Sequence, residues 1–361
     1  MMKIAKNQKL IAYIESLIDI NNLNMSISDM MSEIIGNTSI TNKNEVSLLT
    51  KKFKSDDKKI LLDKIGDYLQ LDLSNEDDEE IFTTLIANNI TKVDPKEYLS
   101  NPYYLNIKID NVIDKEYELT LDTYKAYEVF PLKDMKVDSN FVELNSFGYF
   151  DTDFSFIALN KNRVTWMSIT PNEIETMKSS LEKLRGTVIV CGLGLGYYPY
   201  IASNKEEVKK IIIVEKDKKV IELFKKHLLP QFNHQEKIEI ICDDALNYLK
   251  EATSFDYAFI DLWHDPYDGI ELYIKCKRLE KEGKKYLYWL ESSFYILLRR
   301  CFISLLEEQL ANTNDNNYKI EKSVTDKIIN KFYLKTKNLV INDEQQLQDL
   351  LSDKSLLNLL K

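Results

Sequence analysis

Three glycines set two apart, Gly192, Gly194 and Gly196, follow directly on the β-favouring run Thr187-Val-Ile-Val-Cys191 and precede a helix-compatible segment. A parallel strand ending in such a turn lets a ligand approach bare backbone and rest at a helix N-terminus. About twenty residues further on, a second apolar run, Ile211-Ile-Ile-Val214, ends in Glu215, where a carboxylate is suited to accept hydrogen bonds from ribose hydroxyls. Asp261 ends a third such run, Phe255-Asp-Tyr-Ala-Phe-Ile260, and is the acid best placed to take a proton from a nucleophile. Capping the loop that follows is its competing role. These residues predict a nucleoside cofactor held beside a general base.

The spacing narrows the choice of nucleoside. A dinucleotide fingerprint wants glycine or alanine at its sixth position so that helix and strand pack closely. Tyr197 stands there, and its bulk is expected to hold the helix off the strand and crowd a pyrophosphate. No Gly-Lys-Ser/Thr follows, which excludes a phosphate-binding P-loop. Pro199 is tolerable in a first helical turn, where its missing N–H has no intrahelical use.

The elements that must position these residues alternate strand and helix. Lys237-Ile-Glu-Ile-Ile-Cys242 reads as a strand ending at Asp243-Asp244-Ala245, and Lys285-Tyr-Leu-Tyr-Trp-Leu290 as another. Helical stretches at 218–227, 245–252 and 269–282 separate the strands. Such alternation implies a parallel sheet covered on both faces, with ligands at its carboxyl edge.

The G-x-G-x-G spacing resembles motif I of the class I S-adenosylmethionine-dependent methyltransferases. Within that superfamily the chain is most similar to the spermidine synthases and their methyltransferase-like relatives, over residues 145–295. The likeness rests on Val214-Glu-Lys-Asp217, Leu228-Leu-Pro-Gln-Phe232, Asp244-Ala245, and Phe255-Asp256 leading to Asp261. The segment Trp166-Met-Ser-Ile-Thr-Pro-Asn-Glu-Ile174 resembles one in bacterial spermidine-synthase-like proteins. The resemblance implies S-adenosylmethionine as cofactor, contacted by Gly192, Leu193, Gly194, Gly196, Glu215, Lys216, Asp244, Ala245 and Asp261. In the family, the Asp matching Asp244 takes the exocyclic amine of adenine.

Departures from the family bear on the reaction. Spermidine synthases carry an Asp between the last two glycines, where this chain has Leu195. They also have paired Asp residues spaced D-x-x-D after the fourth strand. Asp261 and Asp265 are one residue too far apart, with Trp263 and His264 between. Val190 stands where methyltransferases usually carry an acid two places before the first glycine, an acid that the spermidine synthases also lack. Three readings follow: methyl transfer to a small molecule or protein, aminopropyl transfer to a polyamine, and cofactor binding without turnover. For the first, Asp261 is the candidate catalytic base, and Trp263, Asp265, Tyr267 and Glu173 are candidates for the acceptor pocket. Glu173 also completes the pattern Thr170-Pro-Asn-Glu173, which reads as a capping box with proline at the first helical position.

The expected fold is α/β. A Rossmann-like class I methyltransferase core with a mostly parallel sheet spans 170–300, preceded by an N-terminal helical domain at 1–104 and a small β-rich region at 105–169. Helical periodicity carries the first, through Leu10, Ile11, Ile14, Leu17 and Ile18. The second is aromatic-rich, and Phe150, Phe154, Phe156 and Trp166 read as sheet packing rather than a cation cage. At 301–361 a helical extension contains a polar break at 312–317, one strand at 338–341 and a final amphipathic helix. The sheet-closing hairpin usual in class I methyltransferases is not legible there.

At 361 residues, with 44% hydrophobic and 29% charged, the composition is that of a soluble globular chain of more than one domain. A net charge of −10 disfavours nucleic acid as a partner. The helical additions suit homo-oligomerisation. Cys191, Cys242, Cys276 and Cys301 lack metal-ligand spacing, so no metal is expected, and a reducing cytoplasmic setting fits them. Neither a secretory signal nor a membrane span is legible.

Overall fold

The computed structural model describes residues 2–311 and 322–361. Its centre is a five-stranded, all-parallel sheet built from β1 (Gly186–Cys191), β2 (Val208–Glu215), β3 (Ile238–Cys242), β4 (Tyr257–Ile260) and β5 (Lys285–Tyr288). The spatial order is β3-β2-β1-β4-β5, so the direction of growth reverses beside β1. A crevice opens at such a switch point, at the carboxyl ends of the strands. This is the Rossmann-like α/β core that the sequence implies.

Local sequence explains the layering. Val188, Ile189 and Val190 of β1 and Ile211, Ile213 and Val214 of β2 are buried, as continuous apolar runs must be when helices cover both faces. Each such side chain contributes about 1.5–3 kcal/mol relative to exposure. Edge strand β3 instead mixes half-buried and exposed positions. The crossovers are the helices Tyr197–Ser203, Lys218–Leu223, Ala245–Glu251 and Pro266–Arg278, the second continuing into a wider π-helical turn at Phe224–Leu228.

The segments before the core are less separate than periodicity suggests. A helix at Gln8–Ile34 opens the chain, and its first half joins the main hydrophobic core through Leu10, Ile14 and Leu17. Its second half contributes Ile27, Met31 and Ile34 to another core with Leu61, Ile65 and Ile86. Strand Ile90–Lys92, within the stretch expected to be helical, pairs in parallel with Phe147–Tyr149. A four-stranded antiparallel sheet follows, in the order Val164–Ser168, Phe154–Lys161, Tyr117–Tyr124, Val112–Asp114. Phe150, Phe154 and Phe156 are buried there as packing.

After β5 the parallel sheet ends. The strand expected at 338–341 forms only at Val340–Ile341 and pairs with Lys3–Ile4, away from the central sheet. Helices Glu291–Leu310 and Val324–Thr336 follow β5, and the expected final helix is two, Glu344–Leu350 and Asp353–Leu360. The polar break at 312–317 lies outside the described residues. Among the described residues no helix is long and apolar enough to cross a membrane, and no cluster of side chains could hold a metal ion.

Candidate functional site

At the switch point the three glycines adopt positive φ, each for a different reason. A Cβ on Gly192 would overlap the carbonyl oxygen of Asp261, because β1 and β4 close tightly there. One on Gly196 would overlap the ring of Phe224. One on Gly194 would meet nothing within 4 Å, because that residue faces open space. Gly192 and Gly196 therefore serve packing, and Gly194 leaves backbone bare to a ligand.

Glu215, 8% exposed at the end of β2, holds this turn in place. Its Oε2 accepts from Leu193 N–H at 3.1 Å and its Oε1 from Asp217 N–H at 2.8 Å. A carboxylate oxygen has two acceptor sites, so each remains able to accept from a ribose hydroxyl. Asp244 caps the Ala245–Glu251 helix, with Oδ1 accepting from Leu246 and Asn247 N–H at 2.9 and 3.1 Å. Among the described residues no hydrogen bond occupies its other oxygen.

These residues line one cavity of about 390 Å³ at the carboxyl edge of the sheet. Gly192, Leu193, Gly194, Glu215, Lys216, Asp244, Ala245 and Asp261 of the expected contact set reach it, together with Glu173 and Trp263. Gly196 does not; it acts one layer behind. The lining is acidic, with Glu173, Glu215, Asp243, Asp244 and Asp261 set against Lys216, while the His264 ring pairs with Asp268 at 2.9 Å.

Asp265 and Tyr267 fall outside the cavity lining. The Asp265 carboxylate accepts from Tyr267 and Asp268 N–H at 2.7 and 3.0 Å, and Asp268 reciprocates in a full capping box. Asp265 is thus consumed in starting the Pro266–Arg278 helix, and Tyr267 is 49% exposed. Trp263 is mostly a core pillar. Its ring meets Phe294 edge-on and its Nε1 donates to Trp289 O at 3.2 Å.

Glu173 departs from its capping-box pattern in the opposite sense. Thr170 caps the Pro171–Glu182 helix by accepting from Glu173 N–H, but the Glu173 side chain makes no return bond. Its carboxylate instead belongs to the cavity, where the Asp261 charge acts on it. Burial first, then the Asp261 charge, holds the Glu173 carboxyl well above the usual carboxylate range. Burial first, then the Glu215 charge, pushes Asp261 up to about 7. Two carboxyls withdrawn from water in one cavity resist ionising together.

Sequence reasoning missed the scaffold behind the glycine turn. Tyr197 is packed against Tyr103, and its hydroxyl accepts from Asn101 Nδ2 at 3.1 Å. Tyr103 donates to Leu195 O at 2.6 Å, and Tyr104 to Ile169 O. A short helix at Pro102–Asn106 thereby braces both the turn and a cavity wall, and the tyrosines of Asn101-Pro-Tyr-Tyr104 were its only sequence signal. Also unforeseen were Met177, Tyr198 and Trp289 in the lining, the last donating from Nε1 to Thr176 at 2.8 Å. Trp166 lines the cavity while stacked on Tyr117, with the Lys161 ammonium 4.0 Å from its ring centre. Cys191 is buried at the end of β1, whereas Cys242 is exposed, because β3 is an edge strand.

Residues 187–275 match the model of the spermine/spermidine synthase domain. No curated protein matches the chain in sequence. Among solved structures, spermidine synthase from Thermotoga maritima is 18% identical over 47% of this chain and 69% of its own, with a TM-score of 0.30. A spermidine synthase in complex with the transition state analogue AdoDATO is 18% identical over 47% and 68%, with a TM-score of 0.28. The C-terminal domain of precorrin-6Y C5,15-methyltransferase from Rhodobacter capsulatus is 17% identical over 33% and 62%, with a TM-score of 0.26. The chain thus spans less than two thirds of that last domain.

Proposed function

We propose that the protein is an S-adenosylmethionine-dependent transferase that moves a methyl group to a small-molecule or protein acceptor. The observation that carries this reading is a single cavity onto which Gly194 opens bare backbone while Glu215 and Asp261 present carboxylates from the ends of β2 and β4, the two strands flanking β1. Glu215 would hold the ribose, Asp244 and Ala245 the adenine side, and the Gly192–Gly194 backbone the amino-acid side. When bound, the cofactor supplies a methyl group activated on a sulfonium.

The difficulty of the reaction is mainly orientation in a dry site, and the chain's residues meet it in two ways. The cavity wall of Met177, Tyr198, Phe259 and Trp289 would shield a bound acceptor from water. Asp261, titrating near 7, is matched to removing a proton from an incoming nucleophile at neutral pH.

Aminopropyl transfer is the second reading, favoured by the domain match over residues 187–275. Leu195 in the glycine turn and the diversion of Asp265 into a helix cap weigh against it, because a polyamine needs carboxylates at matching separations. A cofactor-binding protein without turnover is the third.

Mass spectrometry of small molecules released on denaturing the purified protein tests the cofactor. Calorimetry is expected to show S-adenosylhomocysteine bound and NAD or ATP not bound. Tighter binding of NAD would reverse the reading. Incubation with putrescine and decarboxylated S-adenosylmethionine is expected to yield no spermidine, and turnover well above background would make aminopropyl transfer the activity.

A further inference from the structure

The glycine turn carries two backbone donors that the chain leaves unused. Along it φ is positive at Gly192, Gly194 and Gly196 but not at Leu193 or Leu195. Such alternation gathers successive N–H groups onto one concave face suited to an anion. Leu193 N–H is taken by Glu215 at 3.1 Å, and Gly196 N–H by Leu193 O at 3.0 Å. Among the described residues no acceptor takes Gly194 N–H or Leu195 N–H, and both residues line the cavity.

The peptide that follows these donors is pinned at both ends. Between Leu195 and Gly196 the N–H donates to Leu193 O, and the carbonyl accepts from the Tyr103 hydroxyl at 2.6 Å. The Tyr103 ring is fully buried and meets Tyr197 and Tyr200 edge-on, with ring centres 5.6 and 5.3 Å away. Burial first, then Tyr200, pushes the Tyr103 phenol up, so it stays protonated and donating at any working pH. Without that donor a buried carbonyl would lose its partner, and swinging it toward the cavity would turn the neighbouring amides with it.

We propose that Tyr103 is a positioning residue for the amino-acid end of the cofactor, holding the Gly194 and Leu195 amides aimed at the carboxylate of that end. This rests on the reading of the cavity as an S-adenosylmethionine site. The adenosine end leans instead on Glu215, Asp244 and Ala245, whose carboxylates are held by bonds of their own. The Pro102–Asn106 helix thereby sets selectivity between ligands that carry the amino-acid chain and ligands that lack it.

The test is calorimetry with S-adenosylhomocysteine and with 5′-methylthioadenosine, which keeps the adenosine thioether and has no amino-acid chain. Tyr103→Phe should weaken S-adenosylhomocysteine by about 5- to 50-fold and leave 5′-methylthioadenosine within about twofold. Asn106→Ala removes a bond from the same helix to the Tyr200 hydroxyl, 2.5 Å long and away from the turn. That variant should melt at lower temperature with both affinities unchanged, which separates aiming of the amides from loosening of the helix. In the wild type, hydrogen exchange at the Gly194 and Leu195 amides should slow with S-adenosylhomocysteine and not with 5′-methylthioadenosine. Equal losses for the two ligands in Tyr103→Phe, an unchanged affinity for S-adenosylhomocysteine, or no protection of the two amides would overturn the assignment while leaving the cofactor reading standing. Failure of S-adenosylhomocysteine to bind the wild type would strike the cofactor reading instead.

Discussion

Replacing Asp261 by Asn should stabilise the protein at alkaline pH and not at acid pH. The Asp261 carboxyl titrates at about 7 in the folded chain against 3.8 for an unperturbed Asp. A folded-state value raised in this way means that the native state holds the proton more tightly than the unfolded chain does. Its contribution is fully present below pH 4, is lost progressively as pH rises, and is gone above about 7. Each pKa unit corresponds to about 1.4 kcal/mol, so roughly three units set a ceiling of about 4 kcal/mol on the total change. The window from pH 5 to pH 7 accounts for about 2.7 kcal/mol of it, less whatever the water-accessible cavity screens. Asn keeps the shape of the side chain and cannot ionise. Urea denaturation of both proteins at pH 5 and pH 8 measures the difference directly. The variant should gain about 2 kcal/mol on the wild type between those two pH values, and relief of repulsion on Glu173 should lower that group's titration as well. Equal offsets between wild type and variant at both pH values would refute the argument that burial and Glu215 hold this carboxyl protonated.

Other expectations follow from single contacts. Gly192→Ala should unfold or strongly destabilise the core, because the added carbon meets the Asp261 carbonyl, whereas Gly194→Ala should fold and lose cofactor affinity; thermal melts and calorimetry separate the two. Glu215→Ala should weaken S-adenosylhomocysteine binding by about 10- to 100-fold through lost charge-assisted bonds, and lower stability by about 1.5–3 kcal/mol as Leu193 and Asp217 N–H lose their acceptor. Asp265→Ala should cost about 0.5–2 kcal/mol of stability through the lost helix cap and leave cofactor affinity unchanged. A calorimetric loss of affinity in that variant would return Asp265 to the site. If transfer is catalysed, kcat/KM should rise with pH through an apparent value near 7 and flatten above it, and Asp261→Asn should abolish that dependence.

The fold of the core was legible because its information is local. Each strand of the central sheet is a short apolar run, each glycine turn follows one immediately, and parallel order with covering helices is forced by alternation. Gly192 and Glu215 sit at strand ends, so the sheet itself brings them together once β1 and β2 pair. The C-terminal region was not placed by its sequence, for the converse reason. Val340 and Ile341 read as a strand, but their partner is Lys3–Ile4 at the other end of the chain, and no local pattern names a partner so distant. The brace of Tyr103 and Tyr104 behind the glycine turn was hidden in the same way.

What the sequence determined by itself is the set of groups at the carboxyl edge, since strand ends and positive-φ turns are fixed by neighbours in the chain. The tertiary structure decided how each acid is used. Asp265 and Glu173 both follow helix-capping patterns, yet Asp265 closes its box and Glu173 leaves its own open to line the cavity beside Asp261. The difference is environmental: the first turn holding Asp265 is exposed, so its carboxylate takes the backbone donors nearest to it, whereas the turn holding Glu173 faces a cavity shared with a second carboxyl. Only the packing of elements remote in sequence sets that burial, and burial is what lifts the two acids above the usual carboxylate range.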